Sequence, residues 1–115
     1  MAKAEITVLV QLRLLPDYVD QGKRDLLDFA RKVRLNEPDC AAIEIAQDMD
    51  DPTQITMIEK WSNRTVYETT HLQTEHMKEF IERSSRYFDG SAMISFCQAT
   101  AIGRAKLRPI APYGR

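Results

Sequence analysis

A chain of 115 residues with 16 basic and 17 acidic side chains, 43% hydrophobic in composition, has room for one core and not for two. Its net charge of −1 excludes the electrostatic footprint of a nucleic-acid or anionic-lipid binder, and the interspersion of charged with apolar residues excludes a disordered body. No run approaches transmembrane length and the start, Met1-Ala2-Lys3-Ala4-Glu5, is no signal peptide, so a soluble cytoplasmic domain that meets neither nucleic acid nor membrane is expected.

Ile6 to Leu15 alternates in period two, with Ile6, Val8, Val10, Leu12 and Leu14 on one face of a strand. Pro16 ends it, and Asp17 is placed to cap a helix running from Tyr18 to about Leu35 on the spacing of Val19, Leu26, Ala30 and Val33. Asn36-Glu37-Pro38-Asp39 stops that helix, because a residue before proline avoids the helical region. Cys40 to Gln47 and Gln54 to Trp61 read as two strands of an antiparallel hairpin about the polar turn Asp48 to Thr53. That turn lacks the glycine and distal glutamate of a calcium loop. A short helix from Asn63 to about Leu72 is followed by another from Thr74 to about Phe88, with Met77, Phe80, Ile81 and Ser84 inward. Asp89-Gly90 turns the chain into a fourth strand, Ser91 to Ile102.

Residues 1–103 thus form one β-α-β-β-α-β domain, an α+β, ferredoxin-like arrangement with a four-stranded antiparallel sheet and helices on one face. Residues 104–115, basic and proline-containing, read as an arm. Cys40 and Cys97 stand far apart in apolar strands, without a disulfide or metal pattern, and read as small buried hydrophobes. One apolar row of the first strand, Leu9 and Leu15 or their opposite row, and one of the two rows of the fourth need cover that the helices cannot give. A homodimer packed sheet to sheet, or a higher oligomer, would supply it.

Glu59-Lys60-Trp61, then His71-Leu72-Gln73-Thr74-Glu75-His76, then Phe80 resemble the antibiotic biosynthesis monooxygenase (ABM) domain family. That family has an acidic residue and an aromatic ending the third strand, H-x-x-(S/T)-x-H at the following helix junction, and an aromatic one turn later. Pro16, Gly22, Glu37-Pro38-Asp39-Cys40 and Asp51-Pro52 also fall at comparable places, so the resemblance runs from about Ile6 to Gly103. It implies a dimeric α+β barrel with a pocket between sheet and helices in each subunit. It also implies a reaction of the kind known in the family, oxidation of phenols or quinols by O2 without metal or flavin. Haem-degrading relatives carry a histidine about ten residues after a helical tryptophan; here His71 holds the tryptophan's place and Ile81 the histidine's, which argues against haem.

Oxygenation without a cofactor draws its electrons from the substrate, and a phenol yields them best as its anion, so a proton acceptor is required. Histidine suits that task near neutral pH, which makes His71 and His76 the candidate catalytic residues. Trp61, Tyr67, Phe80, Glu59 and Arg64 are the candidate substrate-binding residues, with core packing the plainer role for the aromatics and solvation for Arg64. A histidine at a helix junction also serves structure, and Glu59, inward on the third strand, is a candidate partner for one. No metal is expected: on one continuous helix, residues five apart lie about 140° apart around the axis, and no carboxylate has a compelling spacing as a third ligand. Two rival functions use the same pocket. One is an isomerase of a small phosphorylated carbonyl compound, which needs a cationic lining; the other is a non-catalytic ligand-binding dimer.

Overall fold

In the computed structural model, residues 5–100 are described; the arm at 104–115 and the end of the expected fourth strand lie outside them. Four strands, β1 (Ile6–Arg13), β2 (Cys40–Gln47), β3 (Gln54–Trp61) and β4 (Met93–Cys97), form one sheet in the order β2-β3-β1-β4. Every neighbouring pair is antiparallel. The long helix α1 (Val19–Asn36), the five-residue α2 (Arg64–Glu68) and α3 (Glu75–Ser84) complete the ferredoxin-like α+β fold. Among the described residues no helix is long and apolar enough to cross a membrane.

Alternation decides which sheet face is covered. Val8, Val10 and Leu12 of β1 and Ile55, Met57, Glu59 and Trp61 of β3 are buried beneath the helices. α1 supplies Leu26, Phe29, Ala30 and Val33 at helical spacing to the same core. The other face carries Leu9 opposite Ile58, with Thr7, Gln11, Thr56 and Lys60 around them and Met93 67% exposed at the β4 side.

Several boundaries differ from the sequence reading, each for a local reason. Asp17 does not cap α1: Pro16–Tyr18 forms a single 3-10 turn, and the helix begins after Tyr18 without a side-chain cap. The run from Asn63 to Leu72 divides into α2, capped by Asn63 Oδ1 accepting from Val66 N–H at 2.9 Å, and a separate 3-10 turn at His71–Gln73. α3 ends at Ser84 rather than Phe88, because Tyr87 to Asp89 run alongside the end of β1: Leu15 N–H donates to Tyr87 O and Asp89 N–H to Arg13 O, each at 2.8 Å. β4 turns Ile94 and Phe96 toward the helices, so Cys97 lies on the opposite row and is exposed, while Cys40 is buried as expected. At the β2–β3 turn, Asp48 accepts from the backbone N–H groups of Asp50 and Asp51. Asp51 pairs with Arg13 at 2.9 Å, which explains the aspartates without an ion.

Candidate active site

Pro38 forces Glu37 out of the helical region, and Glu37 ends α1 with φ −121° and ψ 98° while its N–H still donates to Val33 O. The carboxylate is thereby turned under the helices, 6% exposed. Thr74 makes a second break. Its hydroxyl donates to His71 O at 2.8 Å and accepts from Met77 N–H, so the 3-10 turn ends and α3 starts at one residue. His71 and His76 therefore do not lie on one continuous helix, and the angle expected for that case does not apply.

Both imidazoles converge on Glu37. His71 Nδ1 lies 2.9 Å from Glu37 Oε2 and 3.1 Å from Oε1, and His76 Nε2 lies 2.6 Å from the same Oε2. His71 is 2% exposed and His76 12%. In the low-dielectric interior such charge-assisted contacts fix the rings. The partner that the sequence suggested, Glu59, is engaged elsewhere: its Oε1 accepts from Trp61 Nε1 at 2.8 Å. In the sequence Glu37 read as a helix stop and as part of the Glu37-Pro38-Asp39-Cys40 likeness, not as a partner of either histidine.

Glu37, His71 and His76 are also the kinds of donor that bind a divalent ion, their ligand atoms all lying within 4.8 Å of one another. Two ligands of one tetrahedral zinc stand about 3.3 Å apart, whereas Glu37 Oε2 is 2.6 and 2.9 Å from the two nitrogens. The spacing is that of hydrogen bonds.

His71 also forms part of the wall of a cavity of about 600 Å³ between the sheet and α3. Val10, Leu12 and Met57 floor it; Phe29, Met77, Phe80 and Phe88 wall it; Leu72, Ile81 and Ile94 stand at its edge. Among the described residues, the polar side chains on it are those of Glu59, Tyr67, His71 and three serines, with no lysine or arginine. Of the expected inner face of α3, all four residues line this space. Trp61 does not: it is fully buried behind the wall, its ring centroid 4.6 Å from that of His71 and 5.4 Å from that of Tyr67. Arg64 is outside as well, pairing with Glu68 and lying over the Phe96 ring at 4.1 Å. His76 does not line the cavity; Glu37 joins it to His71, which does.

Burial sets the protonation of the lining. Desolvation lowers the His71 pKa below the ordinary histidine value, more than the hydrogen bond and charge of Glu37 raise it, and His76 lowers it further. Its imidazole is neutral near pH 7, with Nδ1–H donated to Glu37 and Nε2 left as the basic atom. Glu59 is pushed up to about 7, chiefly by burial, against the effect of the Trp61 N–H and with a further rise from the charge of Glu37. Burial and then the charge of Glu59 raise the Tyr67 phenol, which stays protonated as a donor.

The profile of the antibiotic biosynthesis monooxygenase family matches residues 5–83. The chain belongs to that family. Solved structures agree in fold. One described as an antibiotic biosynthesis monooxygenase superposes with a TM-score of 0.75 at 23% identity, covering 84% of this chain and 99% of the other. PA3566 from Pseudomonas aeruginosa gives 0.78 at 22% identity, covering 88% and 99%. A conserved protein of Methanosarcina mazei Go1 gives 0.74 at 21%, covering 84% and 93%. No curated protein matches significantly in sequence. At these identities the likeness establishes the fold of this ABM chain; its chemistry has to be argued from its own cavity.

Proposed function

We propose that this ABM-family protein is a cofactor-independent monooxygenase of a small aromatic phenol or quinol, with His71 as the base. The observation that carries this reading is the Glu37–His71 pair in the wall of an otherwise apolar cavity: the carboxylate occupies Nδ1, so Nε2 is the nitrogen left for a bound molecule. His71 Nε2 takes the phenolic proton, and Tyr67 O–H stands in the lining to donate to the oxyanion. The electron-rich ring then gives its electrons to O2 and forms a C–O bond to it. The proton on His71 returns to the distal peroxide oxygen. As the O–O bond breaks, the ring carbon loses its hydrogen as a proton, one oxygen stays as a carbonyl and the other leaves as water. The substrate supplies all the electrons, so the balance closes without metal or flavin.

The apolar lining suits a planar ring, with Phe80 as a wall and Glu59 positioned for a hydroxyl. Trp61 acts through His71 and Tyr67, against which it packs, and Arg64 has no part in this reading. The absence of cationic side chains among the described lining residues weighs against a phosphorylated substrate, and so against an isomerase. Two copies packed through the outer face around Leu9 and Ile58 form the proposed dimer. Reduced, unpaired Cys40 and Cys97 accord with a cytoplasmic setting.

Oxygen uptake with menadiol or an anthrone tests the assignment. Turnover should fall by about two orders of magnitude or more in His71→Ala, with the circular dichroism spectrum unchanged. Equal turnover in that variant removes His71 as base; ligand-induced stabilisation without any uptake would make the protein a binding module. Light scattering should give the mass of two chains, reduced to one by Leu9→Arg with Ile58→Arg.

A further inference from the structure

The base proposed above sits between a cavity on one side and a buried carboxylate on the other, and that carboxylate leads onward. Beyond Glu37, His76 lies at a separate cleft of about 10 Å³ between α1 and α3, room for about one water molecule. Asp25, Asp28 and Lys32 from α1 and Glu79 and Arg83 from α3 line that cleft. Phe29 and Phe80, stacked with centroids 4.5 Å apart, line both the cleft and the cavity and form the partition between them. The hydrogen-bonded chain His71–Glu37–His76, with links of 2.9 and 2.6 Å, runs beside Phe29, whose ring centroid is 6.1 Å from that of each imidazole.

We infer that Glu37 and His76 form a proton conduit joining His71 to solvent on the side away from the cavity. The inference rests on the base assigned to His71. An aromatic ring filling the apolar cavity shuts His71 Nε2 off from solvent on that side, so while it is bound the His71 hydrogens exchange with water by a route that does not cross the substrate. The steps balance along the contacts present. The relay starts from His71 with its hydrogen on Nδ1, Glu37 as a carboxylate and His76 with its hydrogen on Nδ1. A proton arriving at His71 Nε2 is matched by transfer of the Nδ1 hydrogen to Glu37, of that hydrogen onward to His76 Nε2, and of the His76 Nδ1 hydrogen to water. One proton has entered and one has left, Glu37 is a carboxylate again, and the reverse passage returns a proton to His71 Nε2. His76 touches no substrate in this scheme and is a positioning and relay residue, with Asp25, Asp28, Glu79 and the cations Lys32 and Arg83 around its outlet.

The test is exchange of the His71 Nδ1–H with solvent, followed by NMR in the full-length protein labelled with 15N in histidine, both alone and with menadione in the cavity. His76→Gln can still donate a hydrogen bond to Glu37 but cannot relay a proton. It should slow exchange roughly tenfold or more, most with menadione bound, without displacing the His71 resonances. His76→Gly should be slow in the same way and recover on addition of free imidazole. Wild-type exchange in His76→Gln, or no recovery of His76→Gly with imidazole, overturns the conduit. If menadione shifts no His71 resonance, or His71→Ala oxidises menadiol normally, the catalytic reading fails while the exchange in the unliganded protein still decides the conduit.

Discussion

His71 and His76, from a 3-10 turn and the helix after it, meet the same oxygen of one buried carboxylate, Glu37 Oε2, at 2.9 and 2.6 Å. A carboxylate shared in this way both fixes the tautomer of His71 and compensates two buried imidazoles, so its removal has two separable consequences. Glu37→Ala leaves both rings without their acceptor and should lower stability by about 3 kcal/mol or more, read from urea unfolding. Glu37→Gln keeps the volume and one acceptor oxygen but loses the charge. It should be milder in stability yet lower kcat by about two orders of magnitude.

The pH profile of kcat/KM follows from the direction of the His71 shift. The protonated imidazole cannot accept a proton, so activity is lost as pH falls through the pKa of His71, which burial lowers. The acid limb should therefore lie below the ordinary histidine range. Glu37 opposes that lowering by its hydrogen bond and charge, so Glu37→Gln should move the limb to still lower pH, whatever it does to the maximum rate. A limb that moves upward in Glu37→Gln would show that another group controls the profile.

Much of this arrangement was legible in the chain. Period-two runs and turn signals gave the four strands, the two rows of β1 were legible though not which of them the helices cover, and Met77, Phe80, Ile81 and Ser84 gave the cavity face of α3. The site's partner was less accessible. Glu37 and His71 are 34 positions apart, and helical spacing says nothing about a contact made only after α1 and the helix junction fold onto one sheet. Glu59, nearer in sequence and correctly read as inward, satisfied the same local rule and is bound to Trp61 instead. Trp61 and Arg64 show the complementary limit, since residue type suggests affinity for a ring or an anion but not which side of a wall a side chain occupies.

Glu59 gives a stability prediction with a defined sign. Its pKa rises from 4.5 to about 7 on folding, so between these values the folded chain holds a proton that the unfolded chain has lost. The favourable neutral form is fully present below 4.5, and stability falls as pH climbs through about 7, by about 3 kcal/mol in total for a group this enclosed. His71, shifted downward, contributes in the opposite direction as pH rises toward its unfolded value. Comparing wild type with Glu59→Gln isolates the first effect. The amide keeps an acceptor for Trp61 Nε1–H and has no charge to bury, so the variant should match wild type at pH 4.5 and exceed it at pH 8 in urea unfolding.

Gly22 and Leu14 couple the long helix to the end of the first strand. Alanine in place of a helical glycine ordinarily gains about 0.5–1 kcal/mol by restricting the unfolded chain and favouring helix. At Gly22 an added Cβ would stand 2.7 Å from Leu14 Cδ2 and 2.8 Å from Cδ1. Leu14 is fully buried, and its backbone pairs with Phe88, itself part of the cavity wall. Leu14 must shift to admit that Cβ, and because Leu14 is fully buried the shift presses on packed neighbours; such overpacking costs about 1–3 kcal/mol. Gly22→Ala should therefore destabilise the protein despite its helix preference, and should perturb ligand binding through Leu14 and Phe88. In a Leu14→Ala background the obstruction is gone, and the same glycine substitution should become neutral or stabilising. The double-mutant cycle by thermal unfolding measures that reversal, and additive effects would mean that the close approach of α1 to Leu14 is not what requires glycine.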